Sequence, residues 1–344
     1  MSHFKKLRVL LLVQQWAVPP EDATATRAKK AEWKTEYDVL TALQKTGHDV
    51  KILGVEGELG PIRRAVHEWK PHVAFNLMED FDGVAIFDQN VVSYLELLKV
   101  PYTGCNPRGL MITKDKALCK KILHYHRIKT PGFHVFRRSQ KRIKLPRGLQ
   151  YPLIVKSLIE EASLGISQSS IVTDDKKLEE RVRFIHEKIQ TDALVESYIE
   201  GRELYVGVMG NHQLDVLPVW ELVFRKTPDQ MANIATRRVK WNPEYRRKYG
   251  ITSYAARHLD PELVERIQKV AKRAFKILNL NGYARFDFRL TAEGDLYLLE
   301  ANPNPHIGFE EDFAESAEMI GLNYRDLMDR ILRLGIGWKP TSIV

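Results

Sequence analysis

Two short stretches late in the chain carry side chains well suited to chemistry: Arg285-Phe286-Asp287, and Leu298-Leu299-Glu300-Ala301-Asn302-Pro303. They fall on two predicted strands, Gly282–Leu290 and Asp295–Ala301, joined as a hairpin. In an extended chain, residues two apart point the same way, so Glu300 and Asn302 share a face. The antiparallel partner brings Asp287 to that face. Asp287, Glu300 and Asn302 then converge as three oxygen ligands, a set that leaves room for phosphate and water and suits Mg2+. Asp287 stands between Phe286 and Phe288, and Glu300 follows two leucines, so these acids border a buried surface rather than a solvated hairpin.

A second group is Tyr151-Pro152-Leu153-Ile154-Val155-Lys156, followed by Ala162-Ser163-Leu164-Gly165-Ile166. A lysine that ends an apolar strand suits an anion, and a turn with Ser163 and Gly165 offers N–H donors and a hydroxyl to phosphate. A snorkelling lysine has the same local sequence. A third segment, Ala193-Leu194-Val195-Glu196-Ser197-Tyr198-Ile199-Glu200-Gly201-Arg202-Glu203, is a strand, a short connection and a returning strand. Its connecting backbone can pair with an adenine edge, and Glu203 can accept from ribose hydroxyls. An ordinary strand–turn–strand reads the same way.

The elements that must position these groups come in two patterns. Up to about residue 105, strands (Leu7–Val13, His48–Val55, His72–Asn76) alternate with helices (Glu36–Lys45, Gly60–Trp69, Asn90–Lys99). That alternation predicts a parallel, doubly wound sheet with its ligand edge beyond the strand ends, at Asn76–Gly83. Further along, a basic helix (Thr113–His124) precedes short strands at His134–Phe136, Leu153–Val155 and Gln168–Val172. A helix at Asp175–Ile189 leads to strands at Ala193–Tyr198, Glu203–Met209 and Gln213–Glu221. Arg225–Arg257 is long, polar and aperiodic, the mark of a functional loop. Helices at Pro261–Leu278 and Phe313–Leu334, the latter broken near Gly321, flank the hairpin.

Composition narrows the class. In 344 residues, 53 Lys and Arg exceed 44 Asp and Glu by nine, which suits a protein that handles anions. Val9–Val13 is too short to span a bilayer or to form a signal-peptide core, and two cysteines make no disulfide framework. A cytoplasmic enzyme or binding protein without a membrane partner is the expectation.

Taken in order, these segments resemble the ATP-grasp superfamily and, within it, the D-alanine–D-alanine ligase family, from about Asn76 to Asn302. The resemblance implies a Rossmann-like pre-ATP-grasp domain (1–107), a central α+β lobe (108–195) and a C-terminal α+β lobe with the metal site (196–344). It implies ATP and Mg2+, two ions, with Mn2+ as an alternative. Lys114-Asp115-Lys116 looks like the landmark where Lys116 touches phosphate, and Lys156 resembles the second ATP lysine. Glu196, Ser197, Tyr198 and Ile199 match the adenine hinge, and Glu203 the ribose acid. Lys248-Tyr249 resembles the loop pair that closes over phosphate. Arg285 looks like the arginine that steadies the transferring phosphate, and Asp287, Glu300 and Asn302 match the Mg2+ ligands. The implied reaction is ATP-dependent joining of a carboxylate to an amine through an acyl phosphate, on small amino-acid or peptide substrates, by a homodimer.

Three departures fall on the amino-acid side. The first strand runs into Gln14-Gln15-Trp16-Ala17-Val18-Pro19-Pro20, where the family has a glycine-rich stretch with a substrate-binding glutamate. Glu160-Glu161-Ala162-Ser163 replaces Glu-Gly-Ser-Ser, and Pro303-Asn304-Pro305-His306-Ile307-Gly308 replaces a Thr-Ser-Pro-Gly-Met-like run. The expected outcome is retained ATP chemistry with a substrate altered from D-alanine. His306 is either a general base for the amine or, the favoured reading, a pocket-lining or turn-capping residue. Glu79, Asp80 and Asp82 bind a substrate ammonium or basic group, or form a solvated acidic loop.

The alternatives are a ligase of the glutathione-synthase or ribosomal-protein-modifying type acting on a peptide, and a non-catalytic nucleotide-dependent binding protein. The basic run Arg137–Lys144 lacks a recognition motif or stacking aromatics, so nucleic acid is the weaker partner.

Overall fold

The computed structural model describes residues 6–29, 31–160, 164–228 and 231–340. Its first part holds β1 (Arg8–Gln14), α1 (Ala25–Ala28), α2 (Lys34–Lys45), β2 (Asp49–Val55), α3 (Gly60–Trp69), β3 (Val73–Asn76) and α4 (Asp88–Leu97). The strands form a parallel sheet in the order β2-β1-β3. Pro101–Thr103 extends it, with Ala74 N donating to Pro101 O at 2.8 Å and Thr103 N donating to Ala74 O at 2.9 Å. β1 is apolar from Val9 to Val13 because both its faces are covered. Leu10 and Leu12 share a core with α3 and α4; Val9, Leu11 and Val13 share another with Val39 and Leu43 of α2.

The basic helix expected over Thr113–His124 is two helices, α5 (Pro107–Lys114) and α6 (Lys116–Tyr125). Asp115 breaks the run. Its backbone is extended, and its carboxylate caps α6 by accepting from Leu118 N at 2.9 Å. The break makes Lys116 the first residue of α6. Both helices pack into the main core through Leu110, Ile112, Cys119 and Leu123.

Next come β4 (Phe133–Phe136), β5 (Leu153–Ser157), β6 (Ile171–Val172), α7 (Asp175–Phe184) and β7 (Ala193–Ser197). The strands make an antiparallel sheet in the order β4-β7-β5-β6, with its own core around Leu153, Val155, Leu178, Val182 and Val195. The strand expected at Gln168–Val172 is mostly a 3-10 turn, Gln168–Ser170. Ser167 and Ser170 exchange side-chain and backbone bonds there, offering the chain an alternative to the ladder.

The last part holds β8 (Arg202–Gly210), β9 (Leu214–Val216), β10 (Trp220–Phe224), α8 (Arg237–Trp241), α9 (Pro243–Tyr249), β11 (Ile251–Ala255) and α10 (Pro261–Ile277). β12 (Gly282–Leu290), β13 (Leu296–Pro303), α11 (Asp312–Glu318) and α12 (Tyr324–Gly337) complete it. The sheet order is β11-β10-β8-β12-β13, with β9 beside β8. The strand expected over Gln213–Glu221 divides at Pro218, which has no N–H for a ladder. The aperiodic 225–257 stretch carries short capped elements: Thr236 accepts from Val239 N to start α8, and Asn242 accepts from Tyr245 N at 2.8 Å to start α9. β11 then pairs with β10, so both ends of this stretch are held in the sheet.

The first and last parts share cores. Leu10 and Tyr102 belong with Val206 and Phe286, while Leu11 and Phe75 belong with Tyr283, Phe313 and Ile331.

Candidate active site

The β12–β13 ribbon sets the site. Asp287 lies opposite Glu300 and Arg285 opposite Asn302, so antiparallel pairing places all four on one face. Arg285 grips Asp287 with two bonds, Nε to Oδ1 at 2.8 Å and Nη2 to Oδ2 at 3.0 Å. Asn302 Nδ2 adds a third to Oδ2 at 3.1 Å. The guanidinium also lies over the Tyr205 ring, 4.6 Å from its centre. The ladder slips between Asp287 and Phe288, since Glu300 faces Asp287 but Leu298 faces Phe288. Such a bulge leaves one residue, Leu299, out of the pairing. Its carbonyl instead accepts from Lys120 Nζ at 2.8 Å.

Three lysines meet this ribbon from α6 and β5. Lys116 Nζ is 3.4 Å from Glu300 Oε1 and donates to Glu160 O at 2.6 Å. Glu196, on β7, stands between Lys120 at 2.9 Å and Lys156 at 2.8 Å. The Glu196 and Lys120 side chains are each only 2% exposed. Burial opposes the Glu196 charge, but the two ammonium groups outweigh it and hold the carboxyl below its ordinary range. Burial pulls Lys120 down despite Glu196, while Lys156, also desolvated, is raised by Glu196 and Glu300.

The two acids of the ribbon behave differently. Burial raises Asp287 in spite of Arg285, with Glu300 adding repulsion. Glu300 is desolvated too, yet Lys116, Lys156 and Lys240 hold it at about 2. The pair therefore carries like charges that a divalent cation would relieve. Among the described residues no three His, Cys, Asp or Glu side chains gather as a metal cage. Two carboxylates and an amide oxygen leave further positions to phosphate and water, which fits the way proteins hold Mg2+.

Several expected residues sit elsewhere. Ser163, with Glu161 and Ala162, lies outside the described residues. Glu196, matched to the adenine hinge, lies on the strand as expected, but its carboxylate is turned into the lysines. The connection itself is Tyr198–Gly201, with Tyr198 N donating to Pro152 O at 3.1 Å. Glu203 is buried and already engaged: Arg289 Nη2 donates to Oε2 at 2.6 Å and the Tyr205 hydroxyl to Oε1 at 2.8 Å. Lys248 is exposed and stacks on Tyr249 at 5.2 Å. The lysine of that stretch whose charge reaches both Asp287 and Glu300 is Lys240, and Trp241 beside it meets His306 edge-on at 5.7 Å.

Sequence reading missed Lys120 and Lys240. Lys120 was findable, because it stands four residues after Lys116 and so shares its helix face. For Lys240 the competing pair Lys248-Tyr249 has the same local chemistry. Glu36, at the start of α2, was also missed: it is 8% exposed, its Oε2 has no hydrogen-bond partner among the described residues, and burial lifts it to about 7. Glu79 and Asp38 add to that rise and His306 opposes it. Glu79 and Asp80 follow β3, and their N–H groups point at the Gln14 amide, which receives them at 2.7 and 3.2 Å in its flipped orientation.

Two antiparallel lobes that meet through lysines on one side and an acidic ribbon on the other, behind a parallel sheet, define an ATP-grasp fold. Solved structures share it across nearly the whole chain. The D-alanine–D-alanine ligase from Bacillus anthracis complexed with ATP aligns with a TM-score of 0.71 at 21% identity, covering 96% of this chain and 97% of that one. The Coxiella burnetii D-alanine–D-alanine ligase aligns with a TM-score of 0.70 at 18% identity, covering 96% and 94%. Residues 122–333 match the family described as D-ala D-ala ligase C-terminus. The D-alanine–D-alanine ligase of Syntrophotalea carbinolica is 31% identical over 299 residues, 86% of this chain and 81% of that protein. Uncharacterized protein y4sG of Sinorhizobium fredii is 29% identical over 301 residues, 86% and 85% of the two chains. The chain belongs to the D-alanine–D-alanine ligase family, and with it to the ATP-dependent ligases that form carbon–nitrogen bonds.

Proposed function

We propose that the protein activates a substrate carboxylate with ATP and joins the resulting acyl phosphate to an amine, releasing ADP and phosphate. The observation that supports this reading is the ion pair of Lys116 with Glu300, opposite Asp287 and Arg285, with Lys156 and Lys240 adding positive charge that lowers Glu300. A carboxylate is a poor acyl donor. Attack of its oxygen on the terminal phosphorus of ATP breaks the bond to ADP and turns that oxygen into part of a good leaving group. The amine then attacks the acyl carbon, phosphate departs from the tetrahedral adduct, and the amine gives up its proton.

The chain's own task is positioning and charge. Lys116 and Lys156 offset the triphosphate, with Lys156 held in place by Glu196. Arg285, fixed by its two bonds to Asp287, offsets charge on the phosphoryl group in transfer. Asp287, Glu300 and Asn302 would hold Mg2+, which when bound neutralises phosphate charge. The Tyr198–Gly201 connection would carry adenine, with Glu203 nearby for ribose. Lys240, rather than Lys248, is the lysine of the 225–257 stretch that we assign to phosphate. That stretch serves as a lid that keeps water from the acyl phosphate. We divide the chain at 1–107, 108–195 and 196–344, and place it in the cytoplasm, as a homodimer using two Mg2+ ions.

The substrate is altered from D-alanine in this reading. The run after Asn302 is committed to structural contacts: the Asn304 amide oxygen accepts from Cys105 N at 2.8 Å, and His306 bonds Thr35. The test is phosphate release from ATP and Mg2+ with a panel of amino acids, with products identified by mass spectrometry. We expect release that depends on an acid and an amine other than D-alanine, and that falls about a hundredfold or more in Glu300→Ala, as for loss of a charge-stabilising group. Release indifferent to every acid and amine, or unchanged in Glu300→Ala, would end the reading.

A further inference from the structure

Three parts of the molecule meet on His306. Its Nε2 bonds the Thr35 hydroxyl on α2, and its Nδ1 lies 3.4 Å from Glu311 Oε2. Trp241 of α8 lies edge-on to the ring at 5.7 Å. Both ring nitrogens are thus taken by protein partners, which leaves neither free to remove a proton from an amine. Around this point the 306–311 segment is seated on the first turn of α2. Lys34 Nζ donates to Phe309 O at 2.5 Å, and Phe309 N donates to Asp38 Oδ2 at 3.0 Å. A Cβ on Gly308 would lie 3.3 Å from Thr35 Oγ1, His306 Cε1 and Glu311 Cγ alike, so the packing here is close on every side.

The 225–257 stretch has its own small core, formed by Val239 and Ile251 with Tyr205, Trp220 and Leu222, and Trp241 is not part of it. Trp241 is 56% exposed, and the partner of its ring is His306. Nearer its start the stretch is tied down twice more. The Gln168 side chain bonds both N and O of Ala232, at 3.0 and 2.9 Å, from the central lobe, and Arg289 bonds Asn233 O from β12.

We infer that His306 is a positioning residue that latches the lid to the N-terminal domain: Thr35, His306 and Trp241 form one contact line from α2 to α8. The inference rests on the ligase reading above. The latch makes lid closure depend on where α2 sits, and so couples the nucleotide end of the site to the N-terminal domain. Without it the lid opens more often, and water reaches the acyl phosphate before the amine does.

Two readouts test this. The lid carries Arg237, Arg238, Lys240, Arg246, Arg247 and Lys248, so trypsin reports its opening. In the wild type, Mg2+ with a non-hydrolysable ATP analogue should slow cleavage there. Thr35→Val keeps the volume and removes the hydroxyl; it should cut that protection about fivefold, the effect of one hydrogen bond. The same variant should raise the excess phosphate, released without amide formation, about fivefold, with nucleotide affinity lowered by no more than that factor. Thr35→Ser should restore both. Trp241→Leu, at an exposed ring, should act like Thr35→Val if a core change harms folding. Full protection and one phosphate per amide in Thr35→Val and Trp241→Leu would overturn the latch while leaving the ligase reading intact. A wild type without nucleotide-dependent protection or ligation would overturn both.

Discussion

The two sides of this site, which we assign to nucleotide and to substrate, are built on different principles. On the nucleotide side the buried charges sit in ion pairs: Lys120 and Lys156 share Glu196, Lys116 meets Glu300, and Arg285 meets Asp287. On the other side Glu36 is buried with an oxygen that no group bonds among the described residues, and His306 bonds Thr35 of α2. The first arrangement tolerates desolvation because charges are paired in place; a buried ion unpaired by mutation is costly. The second leaves a desolvated carboxyl close enough to His306, in the run after Asn302, to feel its charge. A protein that keeps one co-substrate and changes another would vary in this way.

The sharpest break in that comparison is Glu196→Gln. It leaves two buried ammonium groups without their carboxylate, and should destabilise the fold by about 3–5 kcal/mol. Urea or thermal denaturation measures it; a loss under about 1 kcal/mol would show that the network is not what holds these lysines.

Glu36→Gln probes the other side. A carboxyl lifted from 4.5 to about 7 keeps its proton in the folded state where the unfolded chain has released it. Stability should therefore fall as pH rises from about 4.5 to about 7, and level off above, by up to about 3 kcal/mol. The glutamine variant should lose this slope and be more stable than the wild type at pH 8. Parallel stability–pH curves for the two proteins would refute the assignment.

The smallest expected effect sharpens the boundary between the two sides. Lys240→Ala should lower kcat/KM about tenfold, near the worth of one charge-assisted contact, and Lys248→Ala should change it less than about twofold. The reverse order would return Lys248 to the phosphate.

Legibility followed the range of the interactions. The β12–β13 ribbon was readable because strand alternation and antiparallel pairing are local, and Asp287 does face Glu300. The alternation of strands and helices in the first hundred residues was readable for the same reason. Local reading failed where short polar side chains intervene: Asp115 ends a helix and starts another, and the Ser167–Ser170 exchange replaces most of a strand. It also had to choose between equals, and took Lys248-Tyr249 where we assign Lys240. Lys240-Trp241 and Lys248-Tyr249 are the same kind of pair, and only the fold says which one reaches the acids.

By itself the sequence determined the class of sheet and the acidic ribbon, since periodicity and short spacings follow from backbone geometry alone, while the order of its motifs carried the resemblance to the family. Tertiary structure decided the rest. Glu196 turns inward because Lys120 and Lys156 arrive from α6 and β5, and His306 finds Thr35 across 271 residues of chain. Contacts of that separation depend on how whole lobes pack, and no local pattern encodes them.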